Sequence, residues 1–155
     1  MDALCQEILA QGSLLREKEE NPAGAATVYF GGGTPTVLPL SQLERIIRTL
    51  RQNFPIAPQA EFTMEANPGT VSLKELEGLR SLGVNRLSFG VQSFDDRLLQ
   101  RIGRIHTGQQ AVRAVREAQQ AGFHNISLDL MYGLPGQGMQ ELQQSVEQAL
   151  RLDVQ

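Results

Sequence analysis

Residues 27–39 read Thr27-Val-Tyr-Phe-Gly-Gly-Gly-Thr-Pro-Thr-Val-Leu-Pro39. The first four, Thr27 to Phe30, are β-favouring and make a short strand that is expected to be buried. Gly31, Gly32 and Gly33 follow at once, so the strand runs into a bare turn that tolerates positive φ and lets another molecule approach the main chain. A glycine-rich connection without a ligand is the alternative reading, but three glycines directly after a strand favour a loop that binds a small polar group. The spacing is not the dinucleotide fingerprint, which needs a further glycine where Thr36 stands and a helix starting immediately. No lysine follows, so it is not a phosphate loop of the Gly-Lys-Ser/Thr kind either.

Working outward, the same unit recurs. Residues 2 to about 19 carry Leu4, Ile8 and Leu15 at helical spacing, ended by Asn21-Pro-Ala-Gly24. After the glycine loop, Ser41 with Glu44 reads as a capping box opening a helix with Leu43, Ile46, Ile47 and Leu50 on its inner stripe. Pro55 and Pro58 mark a loop, Glu61 to Ala66 a second strand, and Asn67-Pro-Gly69 a turn. Ser72 with Glu75 and Thr107 with Gln110 repeat the capping box, each helix being stopped by a glycine, Gly83 and Gly122. Asn85 to Val91 is the third strand, a short helix covers about Asp95 to Arg101, Asn125 to Met131 is the fourth strand, and a last helix runs from about Met139 to Arg151. Strand starts lie roughly 25 to 40 residues apart, an alternation that predicts parallel strands joined by right-handed crossovers in one α/β domain.

The composition limits the classes of function. With 155 residues, 41% hydrophobic and 20% charged, the chain can bury one sizeable core. Its net charge of −3 comes without a basic face, against nucleic acid as a main partner. No stretch has the length of a membrane span, and the cytoplasm is the expected location. Cys5 is the only cysteine, so the chain holds no internal disulfide and no cysteine-based metal site. No nucleophile–base pair and no His/Asp metal cluster stands out.

In parallel α/β folds ligands collect at the carboxyl ends of the strands. There the first strand delivers Gly31 to Gly33, the second Glu65, the third Gln92 and Ser93, and the fourth Asp129, with Arg104 in the loop after the third. Two acceptor-only carboxylates, an amide that both donates and accepts, and bare backbone groups suit a ligand with amine and hydroxyl groups, and Arg104 suits a carboxylate. Each residue alone has a structural reading; the coincidence on one edge carries the inference. His106 is read as a loop or capping residue, and Phe89, Phe94 and Tyr132 as packing aromatics.

Tyr29-Phe-Gly-Gly-Gly-Thr-Pro-Thr36, Met64-Glu-Ala-Asn-Pro-Gly69, Asn85-Arg-Leu-Ser-Phe-Gly-Val-Gln-Ser-Phe94, Ile102-Gly-Arg-Ile-His-Thr107 and Asp129-Leu-Met-Tyr-Gly-Leu-Pro-Gly136 together resemble the radical S-adenosylmethionine family. The resemblance is to the branch of oxygen-independent coproporphyrinogen III oxidases and haem chaperones, nearer the chaperones. It implies a partial (β/α)6, TIM-like barrel. It also implies that Gly32, Gly33 and Thr34 hold the methionyl amino group of S-adenosylmethionine, while Glu65, Gln92, Arg104 and Asp129 bind its ribose, amino and carboxylate groups. The family's [4Fe–4S] cluster sits on a Cys-x3-Cys-x2-Cys loop that this sequence lacks, so the resemblance implies a single partial domain over residues 1–155, without that strand and loop and without the C-terminal part. Haem or porphyrin is the implied partner of the intact protein. As a fragment with unpaired strands at both edges, whose inner faces would lack the wall that buries them, the chain is expected to self-associate.

Overall fold

The alternation of apolar and polar residues along the strands builds a sheet with two unlike faces. The computed structural model describes residues 2–17 and 24–154. Six helices, α1 (Asp2–Glu17), α2 (Leu40–Asn53), α3 (Leu73–Ser81), α4 (Asp96–Arg101), α5 (Gly108–Gln120) and α6 (Met139–Leu150), accompany four strands, β1 (Ala25–Phe30), β2 (Ile56–Ala66), β3 (Arg86–Gln92) and β4 (Asn125–Leu130). The strands pair in parallel in the order β1-β2-β3-β4, as the strand–helix alternation predicts.

Parallel register aligns residues of one kind into rungs. Met64, Leu87 and Ile126 form one rung and Ala66, Phe89 and Leu128 another, and these point to the helices. There they meet Leu43 and Ile47 of α2, Leu76 and Leu79 of α3, and Ala111, Val115 and Ala118 of α5 in one buried core. The intervening rungs, Glu65–Ser88–Ser127 and Thr63–Arg86–Asn125, face the other way. That side is polar and satisfied internally. Arg86 donates to Thr63 Oγ1 at 3.3 Å and to Ser127 Oγ at 3.1 Å, and its Nε lies 3.8 Å from Glu61. Val28, Phe30, Leu128 and Leu130 pack against the helix-side core, to which Ile126 belongs, so the open face is not the apolar surface that an unfinished barrel suggests.

Several details differ from the sequence expectations. β1 is not buried: it is an edge strand, and Tyr29 is 58% exposed. β2 begins at Ile56 and runs through Pro58; the pairing with β1 jumps from Ala25–Ile56 to Thr27–Glu61, and this irregularity accommodates a residue without an N–H. Leu4 of α1 is exposed, while Cys5 and Gly12 turn inward, where a side chain at Gly12 would meet Asn53 at 2.7 Å. The Ser41–Glu44 capping box does not form, because α2 starts two residues early, at Leu40 with Pro39 as its N-cap, and the Pro39 carbonyl takes the amides of Gln42 and Leu43. Ser72 and Thr107 do cap α3 and α5, each with its reciprocal Glu75 or Gln110 bond. Ser72→Ala is therefore expected to cost about 1 kcal/mol and Ser41→Ala less than about 0.5 kcal/mol, as read by urea unfolding.

Candidate functional site at the carboxyl edge of the sheet

Because all four strands run the same way, their carboxyl ends and following loops share one edge. A cleft of about 190 Å³ opens there, lined by Gly33, Thr34, Glu65, Ala66, Asn67, Ser88, Gly90, Gln92, Arg104 and Asp129. This is smaller than a site that encloses a whole drug-sized ligand, so it suits the polar end of one. A groove of about 540 Å³ between α5 and α6 is larger but lies away from the strand ends that gather these residues.

The glycine loop is open where a ligand needs room. Gly32 and Gly33 have φ of 84° and 68°, and a Cβ placed on either would meet nothing within 4 Å. Gly31 is closed: a Cβ there would lie 2.5 Å from the Tyr29 ring and 2.9 Å from the Glu65 carboxylate. The loop is held from β2. Glu65 accepts the Gly32 amide at 3.0 Å on one oxygen and the Tyr29 hydroxyl at 2.6 Å on the other. That bond, with some burial, raises the Tyr29 phenol above its ordinary value.

A second tie runs across the cleft floor. Asn67 donates to Thr34 Oγ1 at 2.7 Å and accepts from Arg104 at 2.7 Å, and the same arginine nitrogen donates to the Gly90 carbonyl. Arg104 Nε is buried without a partner, and burial draws the guanidinium below its ordinary value. It stays a cation with an unused donor. On the far side Ser88 donates to Asp129 at 3.4 Å. The cleft thus offers two carboxylates, one guanidinium, the primary amides of Asn67 and Gln92, and exposed main-chain groups.

Among the sequence-derived candidates, Gly33, Thr34, Glu65, Gln92, Arg104 and Asp129 line the cleft, and Gly32 borders it through Glu65. Ser93 does not belong. Neighbouring residues of a strand face opposite ways, and its hydroxyl is buried against Ser145 at 3.3 Å, accepting the Asp95 amide. Tyr132 is 83% exposed, contrary to its reading as a packing aromatic, whereas Phe89 is fully buried. His106 lies in the loop before α5, as read, and its side chain is buried there. Tyr29, Asn67 and Ser88 were not among the candidates; only Ser88 carries a sequence signal, since it stands two and four residues before Gly90 and Gln92 on the polar face.

Fold and cleft together define a parallel β/α half-barrel with a polar cleft at its strand ends. The chain belongs to the Radical SAM superfamily, whose family model matches residues 8–149. It is 45% identical over 130 residues to a haem chaperone HemW of Bacillus subtilis, covering 83% of this chain and 34% of that one. It is 45% identical over 126 residues to a haem chaperone HemW of Lactococcus lactis, covering 81% of this chain and 33% of that one. Among solved structures it superposes on coproporphyrinogen III oxidase (HemN) from Escherichia coli, a radical SAM enzyme, with a TM-score of 0.86 and 32% identity over 99% of this chain and 34% of that one. The β/α units are thus part of a TIM-like partial barrel, and the chain spans about a third of the length of the curated relatives it matches.

The family implies S-adenosylmethionine and a [4Fe–4S] cluster, and the residues present treat the two differently. The cluster does not fit: it needs thiolates, Cys5 is the only cysteine, and no trio of His, Cys, Asp or Glu among the described residues could hold a metal. Cys5 itself is 6% exposed beneath α2, accepting a weak bond from Thr49 at 3.8 Å. The polar groups of S-adenosylmethionine do fit, since the open backbone over Gly32 and Gly33 and the carboxylates of Glu65 and Asp129 in the same cleft are complementary to its amino and hydroxyl groups.

Proposed function

We propose that this chain is the S-adenosylmethionine-binding section of a haem chaperone of the HemW kind. The observation that supports it is the convergence of Glu65, Gln92, Arg104 and Asp129 with the open Gly32–Gly33 backbone in one cleft. In this reading Gly32, Gly33 and Thr34 hold the methionyl amino group, Arg104 takes the carboxylate, and the carboxylates of Glu65 and Asp129 with the Gln92 amide bind ammonium and ribose hydroxyls. When bound beside a cluster, S-adenosylmethionine supplies a radical precursor; this chain's residues bind and orient it. Haem or porphyrin is the cargo of the longer protein.

The coproporphyrinogen III oxidase reading stands second, supported by the superposition on that enzyme at 32% identity against 45% for the named chaperones. Self-association through the free edges of β1 and β4 belongs to the same proposal. Without the iron that grips the cofactor in the family, affinity for S-adenosylmethionine should be near ~1 mM, about 4 kcal/mol. Asp129→Ala and Arg104→Met are each expected to weaken it about tenfold, as for a lost charged bond. A Soret shift on titration with haem supports the chaperone, and binding of coproporphyrinogen III without haem binding supports the oxidase. Affinity for S-adenosylmethionine unchanged in both variants would remove the site assignment.

A further inference from the structure

The strand end that carries Gln92 is bent in an unusual way. The Ser93 amide donates back to the Val91 carbonyl at 2.8 Å, closing a three-residue turn whose central residue, Gln92, has φ of 67°. A γ-turn with positive central φ is rare and strained. Here the residue is a glutamine, which gains nothing from that conformation, and such strain persists only where the surroundings over-determine it. The β3–β4 register also shifts between Phe89 and Gln92.

Three contacts hold the bend. The Gly90 carbonyl accepts from Arg104, the Gln92 carbonyl accepts the Met131 amide at 2.9 Å, and the Val91 carbonyl accepts His106 Nε2 at 3.1 Å. A carbonyl can only accept, so Nε2 carries the proton. His106 is 4% exposed and stands directly before the Thr107–Gln110 capping box, which ties its backbone to the start of α5. Burial first, with Arg104 nearby, lowers its pKa, while the Val91 bond and Asp96 act the other way; the ring is neutral at physiological pH. The bend has a consequence inside the cleft: a Cβ on Gly90 would lie 3.0 Å from Gln92 Nε2 and 3.1 Å from both Arg104 and Asn67, so the Gln92 amide shares the cleft floor with them.

We propose that His106 is a positioning residue for the cofactor site: its Nε2–H locks the Val91 carbonyl and so holds the strained turn that aims the Gln92 amide into the cleft. That the aimed amide serves S-adenosylmethionine rests on the function proposed above; the lock itself does not. Amide exchange followed by NMR on the 155-residue chain reads the lock, with strand amides such as Leu87 as the internal reference. In His106→Leu, Ser93 and Met131 should exchange about tenfold faster or more relative to that reference, as for a lost buried hydrogen bond. His106→Gln, which keeps an N–H at the same reach, should hold them within about threefold. In Gln92→Gly the turn costs no strain, so adding His106→Leu to it should leave Met131 protected.

Titration of the same proteins with S-adenosylmethionine reads the consequence, a loss of affinity in His106→Leu that His106→Gln restores. Unchanged relative protection of Ser93 and Met131 in His106→Leu, or equal loss in His106→Gln, overturns the proposal. A loosened turn with unchanged affinity also overturns the positioning role. If the unsubstituted chain binds no S-adenosylmethionine yet the turn loosens as described, the lock stands and the site assignment fails. Should His106→Leu not fold, the Gln92→Gly pair and His106→Gln decide.

Discussion

Phe89→Ala is expected to lower the unfolding free energy by about 3–5 kcal/mol, and Ser88→Ala, one residue away, by about 1 kcal/mol or less. Both side chains are buried on β3, a central strand, so burial alone would not separate them. Their faces do. Phe89 is fully buried on the helix side, in a rung with Ala66 and Leu128, and its ring fills space that the small Ala66 leaves. Truncation leaves a cavity, and the rigid strands on either side limit collapse. Ser88 stands on the polar face, and its bonds to Asp129 are long, 3.4 and 3.5 Å, hence weak. Removing it leaves an exposed carboxylate that water can solvate. Urea unfolding of both variants checks this; equal losses would mean that the sheet does not have the two unlike faces described.

Anaerobic reconstitution with iron and sulfide is expected to give no [4Fe–4S] cluster bound within a single chain. Such a cluster in this family needs three thiolates with one iron left free, and the chain holds one cysteine. That cysteine is buried between α1 and α2, where Thr49 donates to its sulfur, so it is not presented to a metal. The expected difference is all or none. Stoichiometric cluster absorbance on monomeric chain, surviving Cys5→Ala, would show ligands other than those identified.

The alternation of strands and helices was legible because period-two and helical patterns are local properties, and the four strand ends that line the candidate cleft followed from it. What failed depended on neighbours. Thr27 to Phe30 has the composition of a buried strand, but burial depends on what pairs beside it, and β1 is an edge. Ser41 and Glu44 have capping-box spacing like Ser72 and Glu75, yet the chain enters α2 through Pro39 and never uses them. Asn67 reads as a turn residue in Asn-Pro-Gly, while its side chain bridges Thr34 and Arg104, brought near only by the sheet. Tyr29 reads as part of an apolar run and in fact reaches Glu65 across the β1–β2 pairing. The bend at Gln92 has no local signature, since no glycine or asparagine marks its positive φ.

The site claim is tested most directly by mapping S-adenosylmethionine onto the chain with backbone amide shifts, titrating to about 10 mM so that millimolar binding saturates. The predicted result is that Gly32, Gly33, Gln92, Arg104 and Asp129 shift together along one binding curve, and that Asp129→Ala weakens that curve for all of them. Shifts confined to the α5–α6 groove around Asp96, Gln109 and Glu141, or a curve that Asp129→Ala leaves unchanged, would contradict it.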